Sequence, residues 1–317
     1  MKNKILQILS ENGDYVSGEY MSSILGITRN TVWKYINALR SDGYVISSST
    51  NKGYKLVSRD GVYSSVEIKR CLNTEFLGKE IYFADKTDST NVWAKNMSNA
   101  ADGSVFVSEI QTNGRGRLGR AWESEKDGVW FTLLLKPQIP IEKVSLITLV
   151  AGIALCRAIG DGAKIKWPND IIISGKKVCG ILTEMSSEIT FLNYVVCGIG
   201  INLNNESFPD ELSDKATSVY LETGKKLPKS AFLARVLYEF EVCYKQFLNE
   251  GFESLLDEYK KMCITLGNDV MILQRGEKTF AKAVDITDSG ELVIIENGVK
   301  RNIFAGEVSV RGLLGYS

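Results

Sequence analysis

The hydrophobic period changes twice along the 317 residues of this chain, so no single layer architecture accounts for it. Up to about residue 60 the apolar residues recur at helical spacing: Ile5, Leu6, Ile8 and Leu9 form one stripe, and Val32, Ile36 and Leu39 another. Ser17 is placed to cap a helix through Leu25, with Gly26 at the turn, and Thr28 to cap a second helix to about Asp42. A hairpin, Tyr44 to Val57 with Asn51, Lys52 and Gly53 at its tip, completes a winged helix-turn-helix domain over residues 1–60. Residues 61–65, GVYSS, read as a linker. Residues 66–262 then mix strands with helices. Strands are predicted at 81–85, 105–109, 129–136, 165–173, 178–184 and 194–203. Helices are predicted from Ser89 or Thr90 to about Asn99, and over 142–159, 230–249 and 252–262. Turn residues at Ser174-Gly175 and Ser186-Ser187 make the later strands an antiparallel meander. Over 266–317 only short strands remain, at 270–273, 279–285, 292–296 and 308–310, which predict a compact β barrel. The fold class is therefore α/β multidomain.

The 38 basic and 38 acidic residues cancel, so no overall field steers the chain to nucleic acid or membrane, and any such partner needs a local patch. The longest uncharged apolar run, Val144 to Cys156, is too short to span a bilayer and reads as a buried helix. The first residues turn polar within ten positions without a cleavage site. A cytoplasmic protein with no membrane partner is expected. Six cysteines at 71, 156, 179, 197, 243 and 263 form no CxxC pair and read as reduced core thiols. The chain has no histidine, which rules out histidine-dependent triads and histidine-based zinc sites. Its chemistry must rest on Lys, Arg, carboxylates, backbone amides and a bound magnesium ion, with no metal ligands assigned within the protein.

The densest local charge is Gly114 to Trp122, GRGRLGRAW, with three arginines and three glycines in nine residues. Glycine lets backbone approach a ligand, and arginine offers forked donors matched to carboxylate and phosphate oxygens, so the segment calls for an anion. Taken alone it reads equally as an RGG-like nucleic-acid patch or a solvated loop. Lys166-Trp167-Pro168-Asn169-Asp170 puts proline in a predicted strand, which must bend or lie at an edge there. Asn169 and Asp170 beside that break either bind a nucleotide or metal, or simply close an Asx turn. Lys177 opens the apolar strand KKVCGILTE and is either a fixed cation or a solvated hairpin lysine, as Lys176 is. In GIGINLN, Gly198 and Gly200 leave one strand face open to a flat ring or acyl chain, but no third glycine or following helix makes it a dinucleotide fingerprint. On the second helix of the first domain, Arg29, Asn30, Thr31, Lys34 and Asn37 lie off the core stripe and are rich in phosphate and base-edge donors. Residues 1–60 carry eight basic and five acidic side chains, so DNA binding and protein contact both remain open.

Together these segments resemble the biotin protein ligases in the bifunctional form that also acts as the biotin operon repressor. The resemblance rests on Asp88-Ser89-Thr90-Asn91, Gln111, GRGRLGRAW, KWPND, KKVCGILTE, GIGINLN, Ala216-Thr217-Ser218-Val219 and Gly306-Glu307-Val308-Ser309-Val310-Arg311, in order across nearly the whole chain. It implies a winged helix-turn-helix domain at 1–60, a biotin- and ATP-binding ligase domain at 66–262 and an SH3-like β barrel at 266–317. It implies that MgATP and biotin give biotinyl-5′-AMP, and that biotin passes to a lysine of the biotin carboxyl carrier domain of acetyl-CoA carboxylase. Ser89, Thr90, Asn91, Gln111, Arg115, Gly116, Arg117, Lys177, Gly198 and Gly200 would hold biotin. Arg120, Trp122, Asn169, Asn202 and Ala216 would hold the adenylate. Lys177, Arg115, Arg117 and Asp170 would act in catalysis, Asp170 by assisting deprotonation or by holding magnesium. The first domain would meet operator DNA through Ser17, Thr28, Arg29, Asn30, Thr31, Lys34, Asn37 and the wing's Lys52, as a homodimer formed on adenylate binding. The competing readings are a non-catalytic biotin-sensing regulator and a lipoate or octanoate ligase.

Overall fold

The structure is a computed structural model that describes residues 1–160, 162–188, 191–274, 277–305 and 309–312. The chain divides into two compact units, residues 1–70 with 228–230, and residues 71–227 with 231–317. In the first, helices α1 (Lys2–Asn12), α2 (Gly18–Leu25) and α3 (Arg29–Ser41) precede the antiparallel hairpin β1 (Val45–Ser49) and β2 (Gly53–Ser58). The expected caps form: Ser17 Oγ accepts the Tyr20 N–H at 3.1 Å and Thr28 Oγ1 the Thr31 N–H at 3.2 Å. Each satisfies a donor that a helix start leaves orphaned. Ile5, Leu6, Leu9, Met21, Val32, Ile36 and Leu39 close the core, and Val16, Ile46 and Val62 join it. Residues 61–65 are therefore not a free linker. The apolar Val62 seats that segment in the core, and helix α4 (Ser65–Cys71) follows directly.

The second unit is built on a seven-stranded sheet, with strands β3 (Ile81–Thr87), β4 (Ser104–Gln111), β5 (Val129–Leu135), β6 (Lys164–Lys166), β7 (Asp170–Ile173), β8 (Lys176–Ser187) and β9 (Leu192–Ile201). Their order is β3-β4-β5-β9-β8-β7-β6, parallel between β3 and β4 and antiparallel elsewhere. Helix α5 (Thr90–Asn96) connects β3 to β4, and α6 (Leu146–Ile159) joins β5 to β6. Eleven of the fourteen α6 residues are buried, and each Leu, Ile or Val among them contributes about 1.5–3 kcal/mol of burial. Short helices α7 (Asp210–Ser213) and α8 (Val219–Thr223), then α9 (Lys229–Glu250) and α10 (Glu253–Met262), complete this part. No helix of the described residues is long and apolar enough to cross a membrane. All six cysteines are free and only Cys71 is not buried. Burial pushes the Cys156 and Cys197 thiols up to about 12, which keeps them protonated and inert.

Three expectations change. The strand predicted over 165–173 is a hairpin: the chain reverses through a cis Trp167–Pro168 bond between β6 and β7 because proline supplies no ladder donor. Helix α5 stops at Asn96, and Ser89 occupies its N-cap position without a side-chain cap bond. Helix α6 starts at Leu146, after a single 3₁₀ turn over Ile141–Lys143. At the C-terminal end, β10 (Asp269–Gln274), β11 (Glu277–Ile286), β12 (Leu292–Glu296), β13 (Val299–Ile303) and β14 (Ser309–Gly312) form an antiparallel sheet of order β13-β12-β11-β10-β14. Among the described residues these five strands form the small antiparallel sheet of the C-terminal domain, with no ladder between β13 and β14. Strand β13 went unread because Val299-Lys300-Arg301-Asn302 offers little apolar alternation. Buried Trp167 ties the sheet down, its indole N–H donating to the Gly290 carbonyl at 3.0 Å.

A buried carboxylate holds the entry to the sheet. Glu241 of α9 accepts the backbone N–H groups of Glu75, Phe76 and Leu77 at 2.6, 2.9 and 2.9 Å. Burial alone would raise its pKa, but those N–H groups and the Lys245 charge outweigh it and hold the carboxyl below its ordinary value. A depressed folded-state pKa stabilises the fold above the unfolded value, and that contribution is lost as pH falls through the folded-state value. Glu241→Gln should cost about 2 kcal/mol of unfolding free energy near pH 7. Denaturant titrations of parent and variant should converge below pH 4.5, the ordinary carboxyl value. A gap independent of pH would show that the charge is not what matters.

Candidate active site

A cleft of about 470 Å³ opens over β8 and β9, and its lining includes Ser89, Thr90, Asn91, Gln111, Arg115, Gly116, Arg117, Trp122, Asn169, Lys177, Gly198 and Gly200. The floor is set by missing side chains. Gly180 pairs with Gly200 across the β8–β9 ladder, and Gly198 faces both Leu182 on β8 and Thr132 on β5. A Cβ at Gly198 would collide with the Asn91 amide, and one at Gly200 would stand 2.5 Å from the Trp122 indole nitrogen. Gly198 and Gly200 thus make room first for protein side chains, and the ligand space lies between these. The Trp122 indole nitrogen is buried without a hydrogen-bond partner among the described residues.

One end of the cleft is polar and neutral. Gln111 Oε1 accepts the Thr90 N–H at 2.8 Å and lies 3.1 Å from Thr90 Oγ1, while its Nε2 donates to Ser124 Oγ at 2.9 Å. The Thr132 hydroxyl lies 2.6 Å from Asn91 Oδ1 and 2.8 Å from Thr90 Oγ1. Asn91 Nδ2 donates to the Leu182 carbonyl at 3.2 Å and to Glu184 Oε2 at 2.8 Å. Thr90 and Asn91 are buried, so these bonds fix their rotamers.

The other end is cationic. The segment 114–122 folds into a small hairpin: the Trp122 N–H donates to the Gly114 carbonyl at 2.9 Å, Arg115 bridges Ala121, and the Gly116 N–H donates to the Arg120 carbonyl at 2.7 Å. Exposed Leu118 takes φ 56° at the tip. Arg117 reaches inward, donating to Asn169 Oδ1 at 2.9 Å and to the Ala305 carbonyl. Burial pushes the Arg117 guanidinium below its ordinary pKa, Asp170 opposes that shift, and the Arg120 charge adds to it. Lys177 pairs with Asp170 Oδ1 at 2.7 Å and sits 4.8 Å from the centroid of the Trp122 ring. Its backbone is pinned as well, the N–H donating to the Lys215 carbonyl at 2.8 Å and the carbonyl accepting from Thr217 N–H at 2.9 Å.

Of the remaining expected residues, Arg120, Asp170, Asn202 and Ala216 do not line this cleft. Arg120 is exposed, Asp170 reaches the cleft through Lys177, and Asn202 is buried with its Nδ2 donating to the Thr217 carbonyl at 3.1 Å. Ala216 bridges Lys177 in the same short ladder. Beside Gly180, the residues Ile181, Leu182 and Ile199 line the cleft unforeseen. Thr132 was missed too, although a lone hydroxyl within the apolar run Val129–Leu135 was its signal. Gly306, Glu307 and Val308 of the terminal motif lie outside the described residues. In the first unit Arg29, Asn30, Lys34 and Lys52 are exposed, Thr31 and Asn37 are half-buried, and Ser17 and Thr28 spend their hydroxyls on caps. Trp33 and Tyr20, 51% and 50% exposed, stand on α3 and α2 and were not anticipated.

Residues 81–202 match the biotin/lipoate A/B protein ligase family, residues 2–55 a helix-turn-helix domain and residues 265–311 the biotin protein ligase C-terminal domain. Over 98% of both chains this protein is 35% identical to the bifunctional ligase/repressor BirA of Bacillus subtilis. The chain belongs to the bifunctional biotin protein ligase/repressor family. The bifunctional ligase/repressor of Escherichia coli is 25% identical over 97% of this chain and 96% of its own. Among solved structures, a biotin protein ligase from Aquifex aeolicus in complex with biotin and ATP superposes with a TM-score of 0.66. It is 31% identical and covers 74% of this chain and 99% of its own. Within this family the two ends of the cleft fall on the quoted motifs: the neutral end on Ser89 to Asn91 and Gln111, the cationic end on GRGRLGRAW, KWPND and KKVCGILTE.

Magnesium does not fit a protein cage here. The described residues hold no group of three metal-ligating side chains, and the carboxylate nearest the cationic end, Asp170, is paired with Lys177.

Proposed function

We propose that this cleft joins biotin to ATP as biotinyl-5′-AMP and passes the biotin to one lysine of a carboxylase carrier domain, and that the first unit binds operator DNA as a biotin-responsive repressor. The observation that carries the reading is the convergence of two ends in one cleft, a neutral hydrogen-bonding end at Thr90, Asn91 and Gln111 and a cationic end at Arg115, Arg117 and Lys177. A small carboxylic acid with a polar ring suits both ends at once.

Ser89, Thr90, Asn91 and Gln111 take the ureido ring, and Ile181 and Ile199 flank its apolar body. The biotin carboxylate is ionised near neutral pH, so its attack on the α-phosphate needs no base. A carboxylate oxygen forms a bond to phosphorus as pyrophosphate leaves, and two anions must be brought together for this. Arg115, Arg117 and Lys177 screen that charge without reorganising, because Asn169, Asp170 and the Ala216–Thr217 segment already hold two of the three. Trp122 and Asn169 contact the nucleotide, Arg120 stands on the exposed rim, and Asn202 and Ala216 act by fixing the Lys177 backbone. In the second step the carrier's amine attacks the acyl carbon and AMP leaves. Asp170, paired with Lys177 at the edge of the cleft, is the candidate to take the amine's proton. Magnesium enters with the triphosphate, and no step is routed through it.

Operator binding on this reading needs two copies. One small domain of net +3 charge contacts few phosphates, whereas a dimer spans two half-sites. Adenylate binding drives that dimerisation. Sedimentation and gel shift on a palindromic operator should show dimer and DNA affinity rising together when biotinyl-5′-AMP is added. Equal values with and without it would make the first unit a tether rather than a switch.

Lys177→Ala should leave the melting temperature close to that of the parent but slow adenylate formation by two to three decades, about 3–4 kcal/mol, as expected for losing one charge contact to the transition state. Single-turnover release of pyrophosphate measures this. A rate near that of the parent would remove Lys177 from the chemistry.

A further inference from the structure

Helix α3 turns one large apolar side chain outward among hydrogen-bond donors. Trp33 is 51% exposed, although Val32, Ile36 and Leu39 of the same helix are buried. Its neighbours on the helix surface, Arg29, Asn30, Lys34 and Asn37, all carry donor groups, and the first three are exposed. An indole at such a surface forgoes the burial that makes a core ring stabilising, so its use lies in what that face meets. Asn37, half-buried and four residues on, has a defined orientation. Arg40 holds the Ile46 carbonyl through Nε at 3.0 Å and Nη2 at 2.7 Å, and its Nη1 donates to Asn37 Oδ1 at 3.3 Å. A guanidinium only donates, so the atom that faces it is the amide oxygen. The Asn37 NH₂ group has no partner among the described residues.

We propose that Trp33 and Asn37 together read one thymine in the major groove, the indole packing on its C5 methyl and the Asn37 NH₂ group donating to its O4. The inference rests on the operator-DNA reading of the first unit and deepens it by naming a base. The base edges decide between the possibilities. Guanine offers two acceptors and no methyl, adenine an acceptor beside a donor, and cytosine a donor, whereas thymine alone sets an acceptor next to a methyl group. Residues four apart on a helix are surface neighbours, so an apolar ring at 33 and a donor at 37 match that pair of groups. Adenine, the usual partner of asparagine, asks for the amide oxygen as well as the NH₂ group, and here Arg40 already engages that oxygen. The exposed Arg29 and Lys34 suit phosphates, contacts that position a helix without reading sequence.

Chemical changes to the DNA test this without touching the protein. Full-length protein with biotinyl-5′-AMP selects duplexes from a randomised palindromic pool, which should recover an invariant thymine in each half-site. Replacing it with uracil removes only the methyl, and should weaken binding about tenfold when both half-sites are changed. Trp33→Ala should bind the thymine and uracil duplexes equally. Asn37→Asp exchanges the NH₂ group for an oxygen of similar size. Its preference should therefore turn from thymine to 5-methylcytosine, which keeps the methyl but sets a donor beside it. Loss of folding would weaken all duplexes alike and would not reverse a preference. The proposal is overturned if no thymine of the selected duplexes is sensitive to loss of its methyl, if that sensitivity survives in Trp33→Ala, or if Asn37→Asp still prefers thymine over 5-methylcytosine. Enrichment of no duplex at all would overturn the operator reading itself and leave Trp33 as a contact for protein, a result distinct from the other three.

Discussion

Everything in the cleft depends on a strip of sheet left without side chains. Gly180, Gly198 and Gly200 bare the β8–β9 ladder where two protein groups must lie flat against it, the Asn91 amide and the Trp122 indole. Glycine is a poor strand residue, so its use at three positions on adjoining strands costs backbone entropy that the neighbouring β5 and α6 packing offsets. Asn91 arrives on α5 and Trp122 on the far end of the arginine hairpin. The two walls of the cleft, remote in sequence, are therefore positioned by one shared floor.

The second constraint is charge without histidine. Arg115, Arg117 and Lys177 collect near one point in a chain whose overall charge is zero. They are kept there by partners that orient them without removing their reach: Asn169 and the Ala305 carbonyl for Arg117, Asp170 and the Trp122 ring for Lys177. Donors already fixed in place act on developing negative charge more strongly than the same groups in water, because they need no rearrangement. The Ala305 contact also makes the C-terminal sheet part of the cleft's support. Trp167, two residues from Asn169, anchors the same sheet at Gly290.

What could be read from residues alone followed locality. Caps at Ser17 and Thr28, the stripe Val32, Ile36 and Leu39, and the meander from β7 to β9 depend on neighbours within a few positions, and their signals are strong. The gathering of Lys177, Arg117 and Asn169 was legible only through the motifs, since nothing in spacing tells that residues 117 and 169 touch. Strand order is not written locally either, so the place of β9 between β5 and β8 was out of reach, and with it the role of Thr132. Gly198 and Gly200 were recognised as space-makers, but what fills the space was not. Glu184 was the last letter of a motif with no role attached, because the Asn91 amide that donates to it meets it only in the folded sheet.

The central claim is that one cleft activates the carboxylate of biotin with ATP before any acceptor protein is present. The most direct measurement is the exchange of labelled pyrophosphate into ATP by the purified full-length chain, without a carrier domain. The account predicts exchange that requires biotin, saturates with it, and is not supported by octanoate or lipoate. Binding of both biotin and ATP without any exchange would contradict it.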